Sequence, residues 1–184
     1  MSTNMFSRRA LVAATVAAAA LLAAGCGSSS SSDTTPTATW ADGLCSAITT
    51  WTSSIKAIGD TVKGGDLSKA TLTSAVDQAK SATKTFTDDL DNLGKPDTEA
   101  GQQAKESVDQ LSTDLSADMT KVQDAVDGAS GVSGIVSAVS VISSTLVTAG
   151  NQVSSTISGL QSLDAKGELE SAFKQSSSCT TLAG

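Results

Sequence analysis

Three cysteines carry the most distinctive chemistry in this sequence, and their surroundings limit what that chemistry is. Cys26 sits between an Ala-rich apolar run and a serine run, in "LLAAGCGSSSSSD". Cys45 and Cys179 lie far apart, in "WADGLCSAITTW" and "ELESAFKQSSSC". A redox thiol pair calls for adjacent or C-x-x-C placement and a cationic neighbour, which neither thiol has. The expectation is a structural Cys45–Cys179 disulfide, leaving Cys26 as the odd thiol, available for modification.

Little else supports catalysis. The chain has no histidine and no tyrosine, and its two arginines are Arg8 and Arg9. Zinc, copper and haem sites rely chiefly on histidine or paired cysteines, and nucleophilic catalysis usually needs a base beside the nucleophile. The "TDDLDNLG" run offers Asp88, Asp89, Asp91 and Asn92, but Leu93 occupies a ligand position of the EF-hand pattern and the required glutamate is missing. The expectation is a solvated acidic helix end, no metal, no cofactor and no enzyme activity.

The formal net charge is −7; residues 1–25 hold Arg8, Arg9 and no acid, so the remainder carries −9. Its ten lysines are scattered among acids. Nucleic acid binding needs clustered cations to displace counterions, so a nucleic acid partner is not expected.

The first residues have the layout of an export signal: a cationic start at Arg8 and Arg9, an apolar run over Ala10 to Ala24, then small residues. Residues 22–26, Leu-Ala-Ala-Gly-Cys, resemble the lipobox of bacterial lipoproteins. The resemblance implies cleavage after residue 25, acyl chains such as palmitate on Cys26, and a place on the outer face of the cell membrane. "SRRALV", Ser7 to Val12, also resembles a twin-arginine export signal. Residues 26–37 are rich in Gly, Ser, Thr and Pro and read as a flexible tether with a reach of roughly 20 Å. The folded domain is expected over 38–184, beginning near Ala38.

Within that domain, apolar residues recur every three or four positions. The first stripe is Trp40, Leu44, Ile48, Trp51, Ile55, Ile58 and Val62; the second is Leu72, Val76, Ala79, Thr83, Phe86, Leu90 and Leu93. The third is Ala104, Val108, Leu111, Leu115, Met119, Val122 and Val126, with Asp109, Asp114, Asp118, Lys121 and Asp124 on the solvent face. The fourth runs Val132, Ile135, Val139, Ile142, Leu146, Ala149, Val153, Ile157, Leu160. Gly64-Gly65, the "LGKPD" run and Gly128 to Gly131 break the pattern. Asp66 or Ser68 is expected to cap the second helix, and Pro96 to open the third.

Heptad-like spacing between short turns predicts an all-α, antiparallel up-down-up-down four-helix bundle with a short C-terminal helix. That topology brings the start of helix one and the end of helix four to the same pole, where Cys45 and Cys179 can meet. Trp40 and Trp51 share a face and are expected in the core. From Ala129 to Leu163 there is no charge, so the fourth helix is expected at the centre of the bundle, touched on most of its circumference; the alternatives are a latent membrane segment and an exposed apolar face that binds a partner helix or a lipid. The segments around Cys45 and Cys179 resemble those of small Ala-rich lipoproteins of actinobacteria.

Two functions follow as expectations. One is a lipid-anchored, non-catalytic interaction or structural module of the cell envelope. The other is a carrier for an apolar small molecule or lipid, with an opening near Gly150 and Gly159. A filled seam beside helix four favours the module; an open one favours the carrier.

Overall fold

Every long apolar stripe forms a helix. A computed structural model of the chain describes residues 35–64, 66–164 and 166–183; Cys26, the expected signal segment and most of the expected tether lie outside the described residues. The elements are α1 (Pro36–Gly64), α2 (Lys69–Leu93), α3 (Gly101–Asp127), α4 (Gly131–Leu163), α5 (Glu168–Gln175) and α6 (Ser177–Ala183). The protein is an all-α bundle in which α1 packs on α2, α2 on α3 and α3 on α4.

Local chemistry sets the boundaries. α1 starts two residues ahead of Ala38: the Thr35 hydroxyl accepts the Ala38 N–H at 3.2 Å, and Pro36 takes a first-turn position where no N–H is required. Ser68 caps α2 by accepting the Thr71 N–H at 3.2 Å. Gly94, at φ +63°, ends that helix with its N–H on Asp91. Pro96 does not open α3. It sits in a turn in which Thr98 donates to the Pro96 carbonyl and Gly101 to the Thr98 carbonyl, both at 3.0 Å. A Cβ at Gly101 would collide with the Pro96 carbonyl oxygen, so glycine is required where α3 begins.

The second and third stripes are largely buried, but the first is buried only as far as Trp51 and the fourth only at Ala149, Val153 and Leu160, and α3 shows an exchange. Asp118 rather than Met119 continues the buried series between Leu115 and Val122, and it is only 3% exposed. After Leu115 a step of three and a step of four both stay near the helix seam, and packing against neighbouring helices selects between them. One Asp118 carboxylate oxygen accepts from Lys121 at 2.8 Å; the other has no partner among the described residues.

The core divides in two. One cluster fills the half of the bundle nearer the start of α1, and includes Leu44, Ile48, Trp51, Phe86, Leu111 and Phe173. Trp51 stacks on Phe86 with ring centroids 5.4 Å apart, and its indole N–H donates to the Thr83 hydroxyl at 3.1 Å. Trp40 meets Phe173 edge-on at 6.4 Å and donates to the Gly94 carbonyl. Both tryptophans are core anchors with satisfied N–H groups. A smaller cluster at the far half gathers Leu72, Val76, Val122, Val126, Ala129 and Ala138.

The C-terminal region forms two short helices rather than one, and both pack against α1. Cys45 and Cys179 are bonded, with Cα atoms 5.0 Å apart. Asp42 reinforces the junction by accepting from the Ser176 hydroxyl at 2.8 Å and the Ser178 N–H at 3.3 Å. The bond spans a sequence separation of 134, so loop-closure entropy assigns it roughly 5 kcal/mol. Reduction, or Cys45→Ser with Cys179→Ser, should lower the denaturant midpoint without changing the helical circular dichroism of the native protein. An unchanged midpoint would show that the link adds no stability.

Candidate functional site

α1 and α4 do not pack extensively on each other, although a closed ring of four helices would pair them. At the disulfide end, α5 stands between them and touches both. Leu169, Ala172 and Phe173 bury the apolar face of α5 in the core. Its N-terminus is held by Asp164, whose carboxylate accepts N–H groups from Lys166 at 3.0 Å, Glu168 at 2.9 Å and Leu169 at 3.3 Å. The carboxylate thereby satisfies the first-turn amides of Glu168 and Leu169, which would otherwise lack partners.

At the opposite end nothing among the described residues fills that seam. Instead a cleft of about 180 Å³ opens between the second half of α1 and the first half of α4, floored by α2 and α3. Ile58, Gly59 and Val62 line one wall and Val139, Ile142 and Leu146 the other, over Leu72, Val76 and Val122. Ile55, at one end, also packs on the first core cluster, whereas the floor belongs to the second. The lining contains one charged residue, Lys63, and one hydroxyl, Ser143.

The cause is a mismatch of side-chain size. Beyond Trp51, α1 has no buried residue. The α2 residues facing that half include Ala75 and Ala79, and α1 itself contributes Gly59, where a Cβ would find nothing within 4 Å. Small residues leave unfilled volume when no helix moves in to close it.

α4 is therefore an edge helix, not the centre of the bundle. Its buried residues are Ala138, Ala149, Val153 and Leu160, while Val132, Val136 and Val147 are 81%, 62% and 65% exposed. Val132, Val136, Val139, Ser143 and Val147 follow one another at steps of three or four, so they share one strip of helix surface. Since Val139 and Ser143 line the cleft, the exposed valines extend its apolar wall outward. By length and composition α4 could also cross a membrane, yet it packs along α3 here.

The other sequence-predicted positions separate from this site. Gly150 is exposed and Gly159 borders a separate shallow depression beside Gln103 and Glu106, so neither opens the cleft. Asp88, Asp89, Asp91 and Asn92 are all exposed near the end of α2, and Asp88 is paired with Lys84 at 2.7 Å. Among the described residues no three acidic or thiol side chains converge. Cys26 lies outside the described residues. The missed signal was the small residues Gly59 on α1 and Ala75 and Ala79 on α2, which mark a seam too thin to fill itself.

No protein-family model matches this sequence, and no match was found among curated proteins or solved structures.

Two carboxylates that hold the C-terminal helices titrate below the usual range. Asp42 is lowered chiefly by the Ser176 hydroxyl and then by Ser178; Asp164 is lowered chiefly by the Lys166 backbone N–H. A depressed native pKa adds stability that is complete above the ordinary carboxylate value, about 4, and is lost as pH falls toward the native value. Thermal unfolding between about pH 6 and pH 2 should show Asp164→Asn less stable at the upper end and less acid-sensitive than the parent. Parallel curves for the two proteins would refute this role.

Proposed function

We propose that the domain is a non-catalytic binding bundle, tethered outside a cell membrane by lipid on Cys26, that holds an apolar chain in the cleft between α1 and α4. The observation that carries this reading is the open seam itself. A folded protein rarely leaves isoleucine, leucine and valine lining a gap when closing it would remove their surface from water at roughly 25 cal/mol per Å². Ligand pockets are typically concave and apolar with few polar groups, and this cleft has that composition. The residue inventory, without histidine and with arginine confined to the signal segment, supports binding rather than turnover. The excess of acid supports a partner other than nucleic acid.

The exposed valines of α4 favour a second reading, a contact face for an envelope protein. The two separate on substitution. Gly59→Leu places a side chain in the cleft at a position where a Cβ meets nothing within 4 Å and should add about 1 kcal/mol through helix propensity. Binding of the neutral fluorophore N-phenyl-1-naphthylamine should fall while the melting temperature rises. If Gly59→Leu leaves fluorophore binding intact and Val136→Ser with Val147→Ser abolishes it, the contact face is the better reading.

The anchor has its own test. Mass spectrometry of the membrane fraction should find acyl chains on Cys26, and Cys26→Ala should lose them and appear in the medium. A Cys26→Ala protein that stays with the membrane would rule the anchor out.

A further inference from the structure

We infer that the cleft selects a single-chain carboxylate, an ionised fatty acid, rather than a neutral apolar molecule. The inference rests on the binding reading above and adds the chemistry of the head group. Lys63 is the one charged residue lining the cleft, in the last turn of α1, where it is exposed. The neighbouring lysines are engaged: Lys56 pairs with Asp60 at 2.7 Å, and Lys69 donates to the Asp127 carbonyl at 2.7 Å. Lys63 makes no ion pair or hydrogen bond among the described residues.

Its stem can lie along the apolar wall while its ammonium stays in water. A chain inserted between Val62 and Ile142 would bring a terminal charge to that ammonium. A single cation matches a monoanion. A phosphate monoester carries nearly two charges, and the domain's own excess of acid disfavours the second. The balance selects a monoanion, of which a carboxylate is the least bulky head group for a cleft of about 180 Å³.

The expected preference is modest, because an exposed ion pair is screened by solvent; it amounts to roughly fivefold in affinity. Displacement of N-phenyl-1-naphthylamine from the purified protein at about pH 7.5, where fatty acids are ionised, compares dodecanoate with dodecanol. Dodecanoate should displace the fluorophore at the lower concentration, and added salt should narrow the gap. Lys63→Met keeps the apolar stem and removes the charge, so it should abolish the preference while leaving dodecanol unchanged. Melting curves confirm that the variant is folded.

Equal potency of acid and alcohol on the parent protein would overturn the carboxylate assignment and leave apolar binding standing. A preference that survives Lys63→Met would overturn the role of Lys63. Stronger displacement by lyso-phosphatidylglycerol than by dodecanoate would replace the carboxylate with a lipid phosphate. Failure of every chain to displace the fluorophore would overturn the binding reading as well.

Discussion

The position of α5 between α1 and α4 is the constraint on which the rest of the structure depends. Four amphipathic helices of this length can close into a ring, each shielding its neighbours. Here the ring is held open because α5 inserts Leu169 and Phe173 at one end and is fixed there from two sides. The Cys45–Cys179 bond and the Asp42 hydrogen bonds tie the C-terminal helices to α1, while Asp164 joins the end of α4 to the start of α5. With the two outer helices separated at that pole, the small residues Gly59, Ala75 and Ala79 leave the seam between them unfilled further along.

The two halves of the bundle consequently differ in character. The disulfide half holds both tryptophans, Phe86 and Phe173, large rings that fill space between helices and satisfy their polar edges. The other half relies on valine, alanine and leucine. Aromatic residues bury far more area than alanine or valine, so a domain with 3% aromatic content that places most of its rings at one end has little left for the other. The cleft sits in the poorly supplied half, and its apolar walls and single lysine are the basis for the proposed binding of an acyl chain.

Reading the sequence succeeded where a local rule had no competitor. The Ser68 cap, the Gly94 helix end and the burial of Trp40 and Trp51 follow from capping chemistry, backbone freedom and periodicity. It failed where two placements were locally equivalent. Asp118 and Met119 are adjacent, both near the seam, and only packing against neighbouring helices put the carboxylate inside. Likewise, the lack of charge on α4 is compatible with a central helix and with an edge helix bordering an apolar cleft.

By itself the sequence determined the number and approximate extent of the long helices, because each depends on spacing along one chain, and it named the two distant cysteines that the fold brings together. It also carried the chemical inventory that limits what the domain can do. Tertiary structure decided which helix lies at the edge, where the seam stays open and which lysine reaches its mouth. Those outcomes depend on how the volumes of side chains from four or more helices add up at one place, and no single stretch of sequence contains that sum.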